Sequence, residues 1–343
     1  LRCQRSGQAH VRNVRYNTMQ QTTDNRITSS MMIDDGWNVR SSMADLIPLI
    51  ATDSLPTNRA RRPEWLKVRA PGGANYHDVL RLMREQNLHT VCEEAHCPNI
   101  GECWNHRTAT FLLLGNICTR GCRYCAIGKG KPEPIDEHEP ERVAASVAHL
   151  KLKFAVLTSV NRDDAPDGGA SIFARTIELI RQKVPDCNVE VLIPDFDGNW
   201  KALETVLAAE PDVLNHNIET VPRLFRRFRP RARFEQSIEL LARARAARPH
   251  LVTKSGMMVG AGETNEEVYQ VIDCLRDVDV NVLTIGQYLS PGASYWPVDR
   301  YVTPAEFAEF RRYALERGFR HVESGPLVRS SYNAHLHVNA QQH

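Results

Sequence analysis

From residue 111 onward, apolar runs alternate with amphipathic stretches, and this alternation constrains the fold more than any other property of the chain. The strand-like runs fall at 111–115, 154–160, 189–193, 213–218, 252–259 and 282–288. Helix-like segments separate them at 140–151, 171–183, 200–209, 234–247 and 266–278. Such alternation implies parallel strands joined by right-handed crossovers. Six units of this kind predict an α/β fold with a partial, open (β/α)6 barrel; a flat doubly wound sheet is the alternative. A helix at 304–317 and a short strand near His321 complete the body. Val79, Leu80, Leu82 and Met83 predict a short helix over 76–86.

Two cysteine trios stand at the start of this body. Cys118, Cys122 and Cys125 form C-x3-C-x2-C in the expected loop after the first strand. Cys92, Cys97 and Cys103 form C-x4-C-x5-C just upstream, in an expected loop broken by Pro98 and Gly101. These are six of the nine cysteines of the chain. Thiolates bind soft metals, and four of them usually hold a [4Fe–4S] cluster. A trio leaves one iron open to a substrate or to a different protein atom. A zinc knuckle would want four protein ligands, and no Cys or His partner stands out downstream. Local clustering of an odd number of cysteines favours reduced thiols and metal over a disulfide framework. Glycines at 115, 121, 128 and 130 would let the backbone wrap closely around a cluster.

Composition adds bounds rather than a function. The chain has 343 residues, 42% hydrophobic and 24% charged, with a formal net charge of +2. Those values suit a soluble globular protein with a substantial core. No apolar run approaches the roughly 20 residues of a membrane helix, and no secretory h-region opens the chain. Residues 1–42 are Arg-bearing, acid-poor and aperiodic, and are expected to be disordered. Met43 reads like a natural start, so this leader is either upstream sequence or a mitochondrial transit peptide. The basic stretch 57–63 reads as a solvated linker.

With Tyr124 before its last cysteine, the C-x3-C-x2-C run resembles the radical S-adenosylmethionine (SAM) superfamily. The resemblance implies that the open iron takes the amino and carboxylate groups of SAM. One electron then cleaves a C–S bond and yields a 5′-deoxyadenosyl radical. It also implies SAM-binding polar residues at the strand ends: Thr158, Ser159, Asn161 and Asp163 in TSVNRDD, and Asn217 and Glu219 in NHNIET. CEEAHCPNIGEC and the tail GPLVRSSYNA, residues 325–334, are similar to the lipoyl synthases. This family likeness covers the chain from about residue 66 onward. It implies an auxiliary [4Fe–4S] cluster on Cys92, Cys97 and Cys103, whose fourth iron is held by a serine. Ser331 is the expected ligand and catalytic residue, with Ser330 as the fallback. The expected parts are a leader at 1–42, an auxiliary-cluster extension at 43–106, the partial barrel at 107–320 and a closing tail at 321–343.

The resemblance further implies two [4Fe–4S] clusters, SAM, and insertion of two sulfur atoms at C6 and C8 of a protein-bound octanoyl chain. The implied partners are an octanoylated lipoyl carrier domain or H-protein, an electron donor such as ferredoxin or flavodoxin, and an iron–sulfur carrier for cluster repair. A cytoplasmic location is expected, or the mitochondrial matrix if residues 1–42 are a transit peptide; no nucleic acid and no membrane are expected. The rivals are a two-cluster methylthiotransferase acting on tRNA and a two-cluster electron carrier. Arginines at 223, 226, 227, 229, 231 and 233 crowd one stretch with Phe225, Phe228 and Phe234. That stretch reads as a solvated face or a docking patch for an acidic carrier before it reads as a single-strand binder. Cys187 and Cys274 are expected as buried core thiols, and Met257 and Met258 as core.

Overall fold

A computed structural model describes residues 62–68, 70–106 and 109–336. The expected leader, Met43 and most of the basic linker lie outside the described residues. The strands are β1 (His89–Thr90), β2 (Thr110–Leu113), β3 (Ile117–Cys118), β4 (Gly128–Lys129), β5 (Phe154–Ser159), β6 (Asn188–Leu192), β7 (Val213–Asn215), β8 (Val252–Val259), β9 (Val282–Gln287) and β10 (His321–Gly325). The helices are α1 (Ala74–Glu85), α2 (Val91–Glu94), α3 (Ile100–Asn105), α4 (Glu139–Leu150), α5 (Ala170–Lys183), α6 (Trp200–Ala208), α7 (Pro222–Phe228), α8 (Phe234–Ala247), α9 (Asn265–Asp277) and α10 (Pro304–Glu316).

The main sheet has the order β1-β2-β5-β6-β7-β8-β9-β10. All neighbours run parallel except the first pair, where His89 faces Leu112 and Thr90 faces Phe111 in antiparallel register. Sequential strand order with a helix between neighbours is the pattern of a barrel rather than of a doubly wound sheet, whose order would reverse midway. The order begins at β1 and stops at β10, so the described strands form an open barrel.

Helix spacing explains how the outer layer packs. On α5, Ala170, Phe173, Ile177 and Ile180 recur at three- and four-residue steps and are fully buried. α9 does the same with Val268, Val271, Ile272 and Leu275. Thr264 and Thr303 open α9 and α10 with capping boxes to Glu267 and Glu306. Each such cap stabilises its helix by about 1 kcal/mol. Inside the barrel lies one charged layer. Lys254 of β8 pairs with Glu190 of β6 at 2.7 Å, both with fully buried side chains, and Asn215 of β7 donates to the same carboxylate at 3.1 Å.

Three local expectations change. The first trio lies not in a plain loop but on two short helices: Cys92 in α2, Cys103 in α3, and Cys97 between them. Gly101 does not break the chain there. It sits in α3, where a Cβ would stand 2.8 Å from the Pro71 Cα. Cys118 ends the short strand β3, which pairs with β4 on the far side of the second trio. The strand expected at 213–218 stops at Asn215. Beyond it, side chains replace the ladder: His216 Nδ1 donates to the Ile193 carbonyl, and Ser255 Oγ bonds the His216 carbonyl and the Ile218 amide.

Candidate active site

The C-terminal ends of the strands surround a cavity of about 560 Å³. Cys118, Cys122 and Cys125 line one side, and Cys97 of the first trio lines another. Cys92 stands behind Cys97 in the core, while Cys103 faces a second cavity of about 680 Å³ together with Ser331. Ser330 lines the first cavity beside Cys97 and Arg329. The two serines of the tail therefore face different sides of the same trio.

Local folding explains each placement. Thr90 leaves β1 and caps α2 by accepting from the Glu93 amide, which fixes Cys92 one helical position inside. The tail is tied to this region by Asn99, a buried side chain whose Nδ2 donates to the Leu327 carbonyl at 2.7 Å. Gly286 of β9 lets the tail come close: a Cβ there would collide with the Val328 carbonyl. The second trio is pinned at Arg123, whose amide donates to Phe228 O at 2.9 Å and whose carbonyl accepts from Trp296 N at 2.8 Å.

Burial raises thiols in both trios, as it does the lone core thiol Cys187. Burial, then the neighbouring thiolate of Cys97, pushes Cys92 up to about 11. Burial, then Cys92 and Cys97, pushes Cys103 up to about 12. Burial likewise pushes Cys125 up to about 12 and raises Cys122. Bound metal would reverse this, because ligation takes the thiolate and releases the proton. The eight described cysteines are free of disulfides. Among the described residues no three Cys, His, Asp or Glu side chains converge on one ion. A zinc knuckle requires such convergence, whereas cluster thiolates each hold a different iron. Three thiols in each trio form a donor set that fits an iron–sulfur cluster with one iron held otherwise.

The expected SAM-site residues divide. Tyr124, Thr158, Ser159, Asn161, Asn217 and Glu219 line the cavity. Tyr124 stacks on Phe228 at a centroid distance of 4.6 Å. Ser159 Oγ and Asn217 Oδ1 are buried without a hydrogen-bond partner and so are free to meet a ligand. Glu219 sits in the left-handed region at φ 68°, an arrangement that costs a non-glycine residue about 1 kcal/mol or more. Burial raises its carboxyl, against the pull of the Arg229 guanidinium and the Asn217 and Tyr124 hydrogen bonds. Asp163 is different. It lines a separate pocket of about 240 Å³ and is engaged by Arg120.

Sequence reasoning missed Arg229. It was grouped with a surface arginine run, yet it is 8% exposed, lines the cavity, and donates from Nη1 to the Asn217 carbonyl at 3.1 Å. Its Nε is buried without a hydrogen-bond partner. The only signal for this was the spacing of Leu224, Phe225 and Phe228, which turns one face of α7 inward. The same burial removes Phe225, Phe228 and Phe234 as a stacking platform for nucleic acid. Met257 is core as expected, Met258 lines the cavity, Cys187 is buried and Cys274 is only half-buried.

Comparisons with known proteins agree with this geometry. The Radical SAM superfamily matches residues 112–275, and the N-terminal domain of lipoyl synthase of the Radical SAM family matches residues 33–97. A lipoyl synthase of Roseiflexus sp. (strain RS-1) is 97% identical over 301 residues, which cover 88% of this chain and 100% of the relative. The chain belongs to the lipoyl synthase family. A second member, from Chloroflexus aggregans, is 86% identical over 88% of this chain and 100% of its own length. A lipoyl synthase of Koribacter versatilis is 59% identical over 85% of this chain and 96% of its own. The crystal structure of Streptococcus suis SuiB bound to S-adenosylmethionine matches with a TM-score of 0.50 at 10% identity, over 75% of this chain and 58% of that one. That likeness is one of fold. As a lipoyl synthase, the chain is a sulfur-inserting radical SAM enzyme that uses SAM and [4Fe–4S] chemistry on a radical SAM partial barrel.

Proposed function

We propose that this lipoyl synthase holds two [4Fe–4S] clusters, one on Cys118, Cys122 and Cys125 and one on Cys92, Cys97 and Cys103 with a tail serine. The substrate is an octanoyl chain amide-linked to a lysine of a carrier domain or H-protein, and sulfur enters at C6 and C8. When bound, the first cluster with SAM supplies the radical that takes hydrogen from carbon, and the second supplies the sulfur. The observation that carries this proposal is the shared cavity: Cys97 and the Cys118 trio open onto one chamber. Leu112, Ile127, Val160, Leu192 and Met258 give it an apolar wall suited to an alkyl chain.

The chain's own residues bind and orient. Arg229 would supply a cation for the carboxylate of SAM's methionine part, and Asn217 and Glu219 would supply polar atoms for its amino or ribose groups. Ser159 and Asn161 complete that polar side. Ser331 is the proposed serine ligand, with Ser330 as its rival. Serine is harder than thiolate, so it leaves iron more readily when the second cluster is dismantled. A reductant such as ferredoxin or flavodoxin and an iron–sulfur carrier for repair complete the partner set. We place the chain in the cytoplasm, in keeping with its bacterial relatives. No helix among the described residues is long and apolar enough to cross a membrane. The exposed Arg226, Arg227 and Arg231 remain suited to an acidic carrier surface.

The test is anaerobic reconstitution with an octanoylated peptide, reading 5′-deoxyadenosine and sulfur gained by the peptide. Both should appear; replacing the Cys118, Cys122 and Cys125 trio should abolish both, whereas replacing the Cys92, Cys97 and Cys103 trio should abolish sulfur gain and leave deoxyadenosine release. Deoxyadenosine without sulfur in the wild-type protein would leave a radical enzyme and end the proposed use of the second cluster.

A further inference from the structure

Arg120 lies between Cys118 and Cys122 and is only 4% exposed, although an arginine in a loop beside the half-buried Thr119 and the exposed Gly121 would ordinarily reach solvent. Its guanidinium instead joins two strand-end loops. Nε donates to Asp163 at 2.9 Å and Nη2 at 2.8 Å, after β5. Nη1 lies 2.7 Å from an Asp195 oxygen, after β6, as an ion pair without hydrogen-bond geometry. Thr119 strengthens the same junction, with Oγ1 donating to Asp163 at 3.0 Å and its amide to Asn161 O at 3.1 Å. The product of this clamp is a sulfur environment. Cys118 Sγ accepts from the Arg120 amide and from the Asn161 amide, each at 3.4 Å. One of those amides belongs to the clamped loop and the other to the loop it is clamped against.

We propose that Arg120 is a positioning residue whose fork to Asp163 and Asp195 aims two backbone N–H groups at the Cys118 sulfur and thereby sets the reduction potential of the SAM-site cluster. The proposal rests on Cys118 being a ligand of that cluster. Hydrogen bonds to a cluster sulfur stabilise the more negative, reduced state and raise its potential. A planar guanidinium can engage two carboxylates at once, in a geometry that a lysine ammonium cannot reproduce. Asp163 thus acts through Arg120 and does not bind SAM. The two carboxylates hold the guanidinium charged. Burial alone would lower its pKa, and the bonds and charges of Asp163 and Asp195 reverse that to a net rise.

The test is redox titration of the reconstituted holoenzyme, followed by electron paramagnetic resonance. SAM identifies the relevant cluster, because it changes the signal only of the iron it binds. Two variants separate the clamp from simple charge. Arg120→Lys keeps the charge and loses the fork. Asp195→Asn removes a negative charge, which through space would raise the potential, while loosening the clamp lowers it. The expected result is a shift to more negative potential of the SAM-responsive cluster in both variants, with the other cluster unmoved as an internal control for folding. A wild-type potential in Arg120→Lys, or a positive shift in Asp195→Asn, overturns the proposal. Lower iron content at an unchanged potential also overturns it, since that marks a purely structural role. If Arg120→Lys fails to fold, the sign in Asp195→Asn decides alone. A wild-type protein with no SAM-responsive cluster would sink the site assignment together with this inference.

Discussion

His216 holds a neutral imidazole inside the cavity wall. Its Nδ1 bonds a carbonyl, which can only accept, so Nδ1 carries the proton and Nε2 accepts from the Ser237 hydroxyl at 3.0 Å. Burial, then the nearby Arg229 charge, lowers its pKa from 6.5 to about 4. The unfolded chain therefore binds a proton between those values that the folded chain refuses. The stabilisation is complete above pH 6.5 and is lost as pH falls toward 4, on the order of 3 kcal/mol in all. Denaturant unfolding of the apoprotein should show a shallower loss of stability over that window in His216→Gln than in wild type. At the tail, Ser331→Cys should keep the second cluster but cut sulfur insertion by about tenfold or more, whereas Ser330→Cys should stay near wild type. The reverse order, read from product formed per loaded cluster, would assign the ligand to Ser330. Spacing singled out both cysteine trios, and the structure places Cys97 and the Cys118 trio at one cavity. The surroundings of Asp163 and Arg229 were not legible, because strand-end carboxylates and arginine runs look alike in sequence, whether they face a ligand, each other or water.

Elements were legible in proportion to their length. The long periodic helices α5, α8 and α9 and the apolar strands β5, β8 and β9 stand within a residue or two of their expected bounds. The misses are two- to seven-residue pieces: β1, the β3–β4 pair, α2 with α3, and α7. Too short for a hydrophobic period, they rest on particular bonds, local as in the Thr90 cap or tertiary as in the β1–β2 ladder. The tail's seat was equally silent, since nothing in sequence announces that Gly286 and Val328 touch. Gly286→Ala should therefore act at a distance. Overpacking against the Val328 carbonyl costs about 1–3 kcal/mol and should lift the tail from the first trio. Iron at Cys92, Cys97 and Cys103 should then be lost faster to a chelator, followed by absorbance, while SAM-responsive signal from the Cys118 trio persists. Equal loss from both sites would contradict this seating.

At the scale of the whole molecule, alternating strands and helices pointed to a parallel α/β fold but left a doubly wound sheet open, because both folds share that alternation; the sequential strand order decides for the barrel. The charged layer inside that barrel was not foreseen, since a lone lysine in β8 and a lone glutamate in β6 carry no mark of meeting. Lys254→Met should cost about 3–5 kcal/mol by stranding the Glu190 charge, and Lys254→Met/Glu190→Gln should recover most of it, as measured by denaturant midpoint. The double variant keeps an acceptor for Asn215. One more consequence concerns β2. Its Phe111 is laddered to Thr90, two positions before Cys92, and its last residue, Leu113, precedes Cys118 by only a few positions. A single strand is thus the ruler between the two sets of sulfurs. Inserting or deleting one residue there would shift the register of Thr90 against Phe111 and so the spacing between the two cysteine trios.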